Sequence, residues 1–152
     1  MTKLVFTKKK TEHIFYCIIG LRGDLKGLDG KNNIEKLQTD VIVEECIQIR
    51  EDQFNAHFEK DETIKAEKQK KLTETTLPKI LGFIEKALSE NARGNGFVVG
   101  NQLTWADLAL IDTMERLPDL LAKYPKISAH KKLVEGLPKL AAYINKRPKT
   151  DL

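Results

Sequence analysis

The sequence predicts an all-α bundle of five or six helices, preceded by a short irregular or β-like N-terminal segment. Three observations carry that expectation. Leu, Ile, Lys and Glu dominate, and as a set they favour helix over strand. Apolar residues recur at helical spacing over several long stretches, interrupted by only five prolines and nine glycines. The segment Leu103-Thr104-Trp105-Ala106-Asp107-Leu108 carries a complete helix-start signature. A chain of 152 residues is one domain by length.

The elements follow in order. Thr2 to Phe6 and Ile14 to Ile19 are β-branched and aromatic and read as short strands, with Lys8, Lys9 and Lys10 as the turn between them. Gly20, Gly23, Gly27 and Gly30 make a junction, with Asp29-Gly30 as a turn signal. Asn32 or Asn33 caps the next helix, and Glu35 sits favourably near its positive end. From Ile34 to about Phe58 the chain reads as one long helix with two apolar stripes, Ile34, Leu37 and Val41 on one side and Val43, Ile47, Phe54 and Phe58 on another. Two stripes predict burial on two sides, as in a central core helix or, more sharply, with one side against a second subunit. Lys60 to Lys71 is a solvated helix face or turn.

Leu77, Ile80, Leu81, Ile84 and Leu88 predict an amphipathic helix, kinked at Pro78 and ended by the glycines of Asn91 to Gly96. At the next start, Thr104 is the expected N-cap, and Asp107, three residues on, reaches back to the cap. Leu103 and Leu108 occupy the positions of a hydrophobic staple. That helix is expected to run through Leu110, Ile111, Met114 and Leu117 to about Pro118. Two short helices finish the chain, Ser128 to about Gly136 and Pro138 to about Lys146.

Composition narrows the function classes. The charge of +4 is mild, and aromatics are 7% of residues, which does not suit a nucleic-acid face with stacking platforms. No apolar run approaches the ~20 residues that span a bilayer. Cys17 and Cys46 fall in apolar stretches and read as reduced core residues of a cytoplasmic protein. The histidines at 13, 57 and 130 are too scattered for a zinc site, so no metal is expected.

Several segments together resemble one family. They are Gly27-Leu28-Asp29-Gly30-Lys31-Asn32-Asn33, Thr76-Leu77-Pro78, Phe97-Val98-Val99-Gly100, Leu103 to Leu108, and the ending Lys146-Arg147-Pro148-Lys149-Thr150. The chain is similar to the C-terminal domain of sigma-class glutathione transferases, the class of prostaglandin D synthase and the S-crystallins. On that resemblance residues 26–152 form the helical domain, and residues 1–25 are an irregular remnant or replacement of the thioredoxin-like domain.

The resemblance implies glutathione as co-substrate and small hydrophobic electrophiles as substrates. It also implies a homodimer, or a heterodimer with a full-length transferase, through the helix around Ile34 to Phe58. Two departures point to lost or crippled chemistry. The family's thiol-activating tyrosine precedes an Arg-Gly pair by four residues; four before Arg22-Gly23 stands Ile18, and Gly27 onward matches the end of the thioredoxin-like domain better, so the Arg-Gly pair reads as a coincidence and the tyrosine finds no counterpart. The family's two adjacent acids, one of which reaches the amine of glutathione across the dimer, match Ile47 and Gln48. Gln48 would therefore bind that amine weakly, without charge.

The family's pocket-lining positions fall at Arg50, Gln53, Ala109, Thr113 and Leu152, and no catalytic residue is assigned. A non-enzymatic helical module for dimerisation, structure or apolar-ligand binding is the alternative. An apolar face left uncovered by a missing domain is expected to lie exposed.

Overall fold

The computed structural model describes residues 27–91 and 94–146. Among these, six α-helices and no strand are found. They are α1 (Asn33–His57), α2 (Glu62–Lys71), α3 (Leu77–Glu90), α4 (Trp105–Glu115), α5 (Pro125–Glu135) and α6 (Pro138–Lys146). A five-residue π-helical turn, Leu72–Thr76, joins α2 to α3, and a short 3-10 turn, Pro118–Lys123, precedes α5. The bundle is built around α1, which packs mainly on α4 and also touches α2 and α3. Helix α5 closes over α3 and α4, and α6 rests on α5. The expected strands at Thr2 to Phe6 and Ile14 to Ile19 lie outside the described residues.

Helix α1 begins where its capping residue says it should. The Asn32 carboxamide oxygen accepts the backbone N–H groups of Ile34 and Glu35, both at 3.0 Å, and so satisfies two of the helix's orphan donors. The turn before it needs Gly30, whose φ of +99° lies in the left-handed region and whose added Cβ would meet Glu35 Cβ at 2.8 Å. The buried stripe of α1 is Thr39, Ile42, Val43, Cys46 and Ile49, ending at Ala56. This corrects the expected second stripe. Val43 belongs to it, Ile47 and Phe54 are half-buried, and Phe58 is exposed, stacked on Phe54 at 4.4 Å. The other stripe, Ile34, Leu37 and Val41, lies on the surface.

Helix α2 buries nothing and is held by its cap: Asp61 accepts from the N–H groups of Thr63 and Ile64. A Lys68 to Glu59 ion pair ties its last turn to the preceding loop, and with two backbone N–H donors it draws the Glu59 carboxyl down to about 2. Pro78 does not break the helix. The chain is helical from Glu62 to Glu90, and the widened turn just ahead of the proline lets the Leu77 N–H bond to Leu72 O. Proline lacks an N–H and its ring crowds the carbonyl four residues back, so one extra residue in the turn absorbs the misfit.

The start of α4 is held by a dense set of hydrogen bonds. Thr104 caps the helix, and both halves of a capping box are present. The Asp107 carboxylate accepts the Thr104 N–H at 2.7 Å and its hydroxyl at 2.9 Å. It also accepts the Val98 N–H at 2.9 Å and the Nε2–H of His130 at 2.8 Å. Asp107 is fully buried, and His130 on α5 nearly so. One carboxylate thus joins the helix start, the loop before it and a second helix, α5. Leu103 and Leu108, the staple positions, are half-buried. The lead-in loop is pinned here too, because the Trp105 N–H bonds to Leu28 O at 2.9 Å and the Gln102 amide to Gly27 O at 3.2 Å.

Two boundaries differ from the sequence expectation. Helix α4 stops at Glu115, short of Leu117 and Pro118, and the chain passes into the 3-10 turn. Helix α5 starts at Pro125, three residues before Ser128. Its first amides are capped from afar, since the Glu85 carboxylate accepts the N–H groups of Lys126 at 2.8 Å and Ile127 at 2.9 Å. That carboxylate on α3 also complements the positive end of α5.

Removing the Asp107 carboxylate strands the Val98 and Thr104 amides and the His130 ring in a dry interior. Asp107→Ala is expected to cost about 3–5 kcal/mol. That corresponds to a fall in Tm of about 10 °C for a chain of this size, measurable by calorimetry. Asp107→Asn should recover less than half of the loss, because either orientation of its amide sets the NH2 group against a backbone N–H donor, that of Thr104 or that of Val98.

Candidate binding site on the α1–α4 seam

The pocket positions expected from sequence sit on facing sides of α1 and α4. On α1, Cys46, Arg50 and Gln53 follow one another at helical spacing; on α4, Ala109, Thr113 and Arg116 do the same. Side-chain contacts join the two rows. The Arg50 guanidinium forms an ion pair with Asp112, and Arg116 approaches the same carboxylate at 3.6 Å. The Thr113 hydroxyl donates to Ala109 O at 2.9 Å and lies against Cys46. Arg50, Gln53, Ala109 and Thr113 are thus brought to one seam, while Leu152 lies outside the described residues. Ala109 and Gln53 are half-buried and Thr113 is buried.

The electrostatics of the seam are those of a half-dry wall. Burial lowers the Arg50 pKa, and the Asp112 carboxylate opposes that fall by favouring the charged form. Burial pushes the Cys46 thiol up to about 12, against a hydrogen bond with Thr113 that favours the thiolate. A thiol so placed is a core residue and no nucleophile at neutral pH, because the thiolate is the reactive form. Cys46 forms no disulfide in this structure.

Gln48 points elsewhere. It is exposed, and its amide donates to Asp52 Oδ1 at 2.9 Å, while Asp52 Oδ2 accepts the Thr76 hydroxyl at 2.8 Å. The Gln48–Asp52–Thr76 chain lines a cleft of about 490 Å³ between α1 and the π-helical turn, rimmed by Glu44 and Glu45 on one side and Lys71 and Lys79 on the other. A separate apolar groove of about 440 Å³ runs between α1 and α3, its walls formed by Leu37, Val41, Phe83, Ala87, Val98 and Val99.

Three contributors were not visible in the sequence. Asp112 and Arg116, which complete the charge cluster, carry no motif of their own. His130 is a core residue whose partner no local pattern announces: it donates to Asp107 from 23 residues away. Its Nδ1 has no partner among the described residues. No cluster of three or more metal-ligating side chains occurs among the described residues. Among the same residues, no helix is long and apolar enough to cross a membrane.

Comparison with known proteins places these features. The family profile "Glutathione S-transferase, C-terminal domain" matches residues 47–147. S-crystallin SL11 of Nototodarus sloanii is 34% identical over 128 residues, covering 82% of this chain and 62% of that protein. Glutathione S-transferase P 1 of Xenopus laevis is 34% identical over 142 residues, covering 88% of this chain and 65% of that protein. Among solved structures, prostaglandin synthase D of Nilaparvata lugens superposes with a TM-score of 0.72 at 28% identity, covering 82% of this chain and 63% of that one. The chain therefore spans somewhat under two thirds of the length of these relatives.

The seam's burial has a direct chemical readout. In a Cys17→Ser variant, Cys46 should react with a disulfide reagent at pH 8 at least a hundredfold more slowly in the native chain than in denaturant. Rapid native labelling would show that the seam opens.

Proposed function

We propose that this chain, which belongs to the glutathione S-transferase C-terminal domain family, is a sigma-class helical module. It carries a transferase's pocket wall and dimer-forming helix, with conjugation lost or crippled in the 152-residue chain. Its retained roles are then dimerisation or structural support and the binding of small apolar ligands. The family's co-substrate is glutathione, and sigma-class substrates are hydrophobic electrophiles.

The observation that carries this reading is the separation of wall from chemistry. Arg50, Gln53, Ala109 and Thr113 are assembled on one seam, but the one hydroxyl among them, that of Thr113, already donates to Ala109 O at 2.9 Å and is not offered to an incoming thiolate. At the position that would meet the amine of glutathione across a dimer stands Gln48, a neutral amide already donating to Asp52. A neutral acceptor holds an ammonium more weakly than a carboxylate does.

Dimerisation, with a second copy or with a full-length transferase subunit, is part of the same reading. Its support is the exposed side of α1, where Ile34 keeps 64% of its surface open to solvent. A cytoplasmic setting agrees with the buried Cys46, which forms no disulfide.

Two measurements test the reading. The purified chain, given glutathione and a generic aromatic dinitrohalide, should show neither saturable binding by calorimetry nor turnover above the uncatalysed rate. Saturable turnover would overturn it. In sedimentation equilibrium the chain should dimerise, and Ile34→Glu should weaken the dimer at least tenfold while leaving the helical signal unchanged. A monomer at all concentrations would remove the dimer from the account.

A further inference from the structure

The groove between α1 and α3 is open and apolar, with Leu37 60%, Val41 41% and Phe83 44% exposed on its walls. Nothing among the described residues fills it. Its volume of about 440 Å³ falls within the range of pockets that hold a sizeable ligand or a short run of side chains. We propose that the groove is occupied by the chain's own segment Ile14-Phe15-Tyr16-Cys17-Ile18-Ile19.

Three observations select that occupant. First, Ile14 to Ile19 is the longest uninterrupted apolar run in the sequence, so it has the most to gain from leaving water. It also lies outside the stretch, residues 47–147, that the family profile matches. Second, the groove opens beside the point where the described chain begins. Gly100 lines the groove and abuts the Glu35 carboxylate, and Gly30 packs against the same Glu35. The lead-in residues Gly27 and Leu28 are bonded to Gln102 and Trp105 on that side of the bundle.

Third, the tether is short but sufficient. The eight steps from Ile19 to Gly27 reach at most about 26–29 Å. A tether of that length holds the segment at an effective concentration on the order of millimolar, well above that of a second copy in dilute solution. Ile34 is not among the groove's lining residues and stays free for a two-fold contact, so the segment and a dimer partner do not compete for it. Occupancy of the groove does not depend on whether the chain binds glutathione.

Disulfide trapping in the full-length chain reads the proposal directly. Val41→Cys and Phe83→Cys each place a thiol on a groove wall within reach of the native Cys17. Diamide takes up the two electrons and two protons released as the S–S bond forms. Cys46 is buried and stays out of the reaction. The control is Glu44→Cys, on the same helix as Val41 but lining the other cleft.

Circular dichroism establishes that each variant retains its helices. The expected result is an intramolecular bond from Cys17 to the thiol introduced by Val41→Cys or by Phe83→Cys, identified by peptide mass. Either bond should form at least tenfold faster than the one in the Glu44→Cys control. Equal rates in all three variants would mean random collision of a tethered thiol and would overturn the proposal. So would bonds that link only separate chains, which would place a second copy in the groove. So would no bond in either groove variant.

Discussion

The fold depends on one buried carboxylate. Asp107 accepts from two backbone amides, a hydroxyl and an imidazole, and its donors come from the loop at Val98, the helix start at Thr104 and helix α5 at His130. A charge with no exposure to water is costly unless it is fully hydrogen-bonded, and here it is. The cost of breaking the arrangement is what specifies it. If α4 started a residue earlier or later, Asp107 would lose the Thr104 amide, and the loop would lose its anchor at Val98. With α4 fixed, the α1–α4 seam is fixed, and with it the spacing of Arg50 from Asp112 and of Cys46 from Thr113.

What the sequence revealed divides by the range of the interaction. The start of α4 was legible because Thr104 and Asp107 are neighbours and satisfy a local pattern. The cap of α1 at Asn32 was legible for the same reason. The start of α5 was not, because its cap is Glu85 on α3, 41 residues from Lys126, and no local pattern announces it. His130 was opaque on the same ground. Pro78 was read correctly as a disturbance, but a π-helical turn absorbs it without breaking the helix. Phe58 was assigned to a buried stripe by periodicity alone, although it falls just after the last residue of α1, where the helix no longer constrains direction.

The candidate site shows the same division. The resemblance to a known family carried Arg50, Gln53, Ala109 and Thr113 to one wall, and the helical spacing along α1 and α4 explains why they face each other. Asp112 and Arg116 were missed because their role comes from meeting Arg50 across the seam. Gln48, one helical face away, sits over a polar cleft. Three faces of a single helix thus serve different ends: the seam with α4, the cleft beside the π-helical turn, and the apolar groove beneath α3. Such economy is expected where a long central helix has neighbours on most sides.

What we propose for this chain is a pocket wall retained on the α1–α4 seam together with a loss of glutathione binding. Residue-resolved amide chemical shifts, recorded while the chain is titrated separately with glutathione and with a small apolar ligand, test it most directly. Saturating shifts at Arg50, Gln53 and Thr113 are expected with the apolar ligand, and no saturating shift is expected with glutathione. Saturating shifts at Gln48 and Asp52 with glutathione at micromolar concentration would contradict the claim.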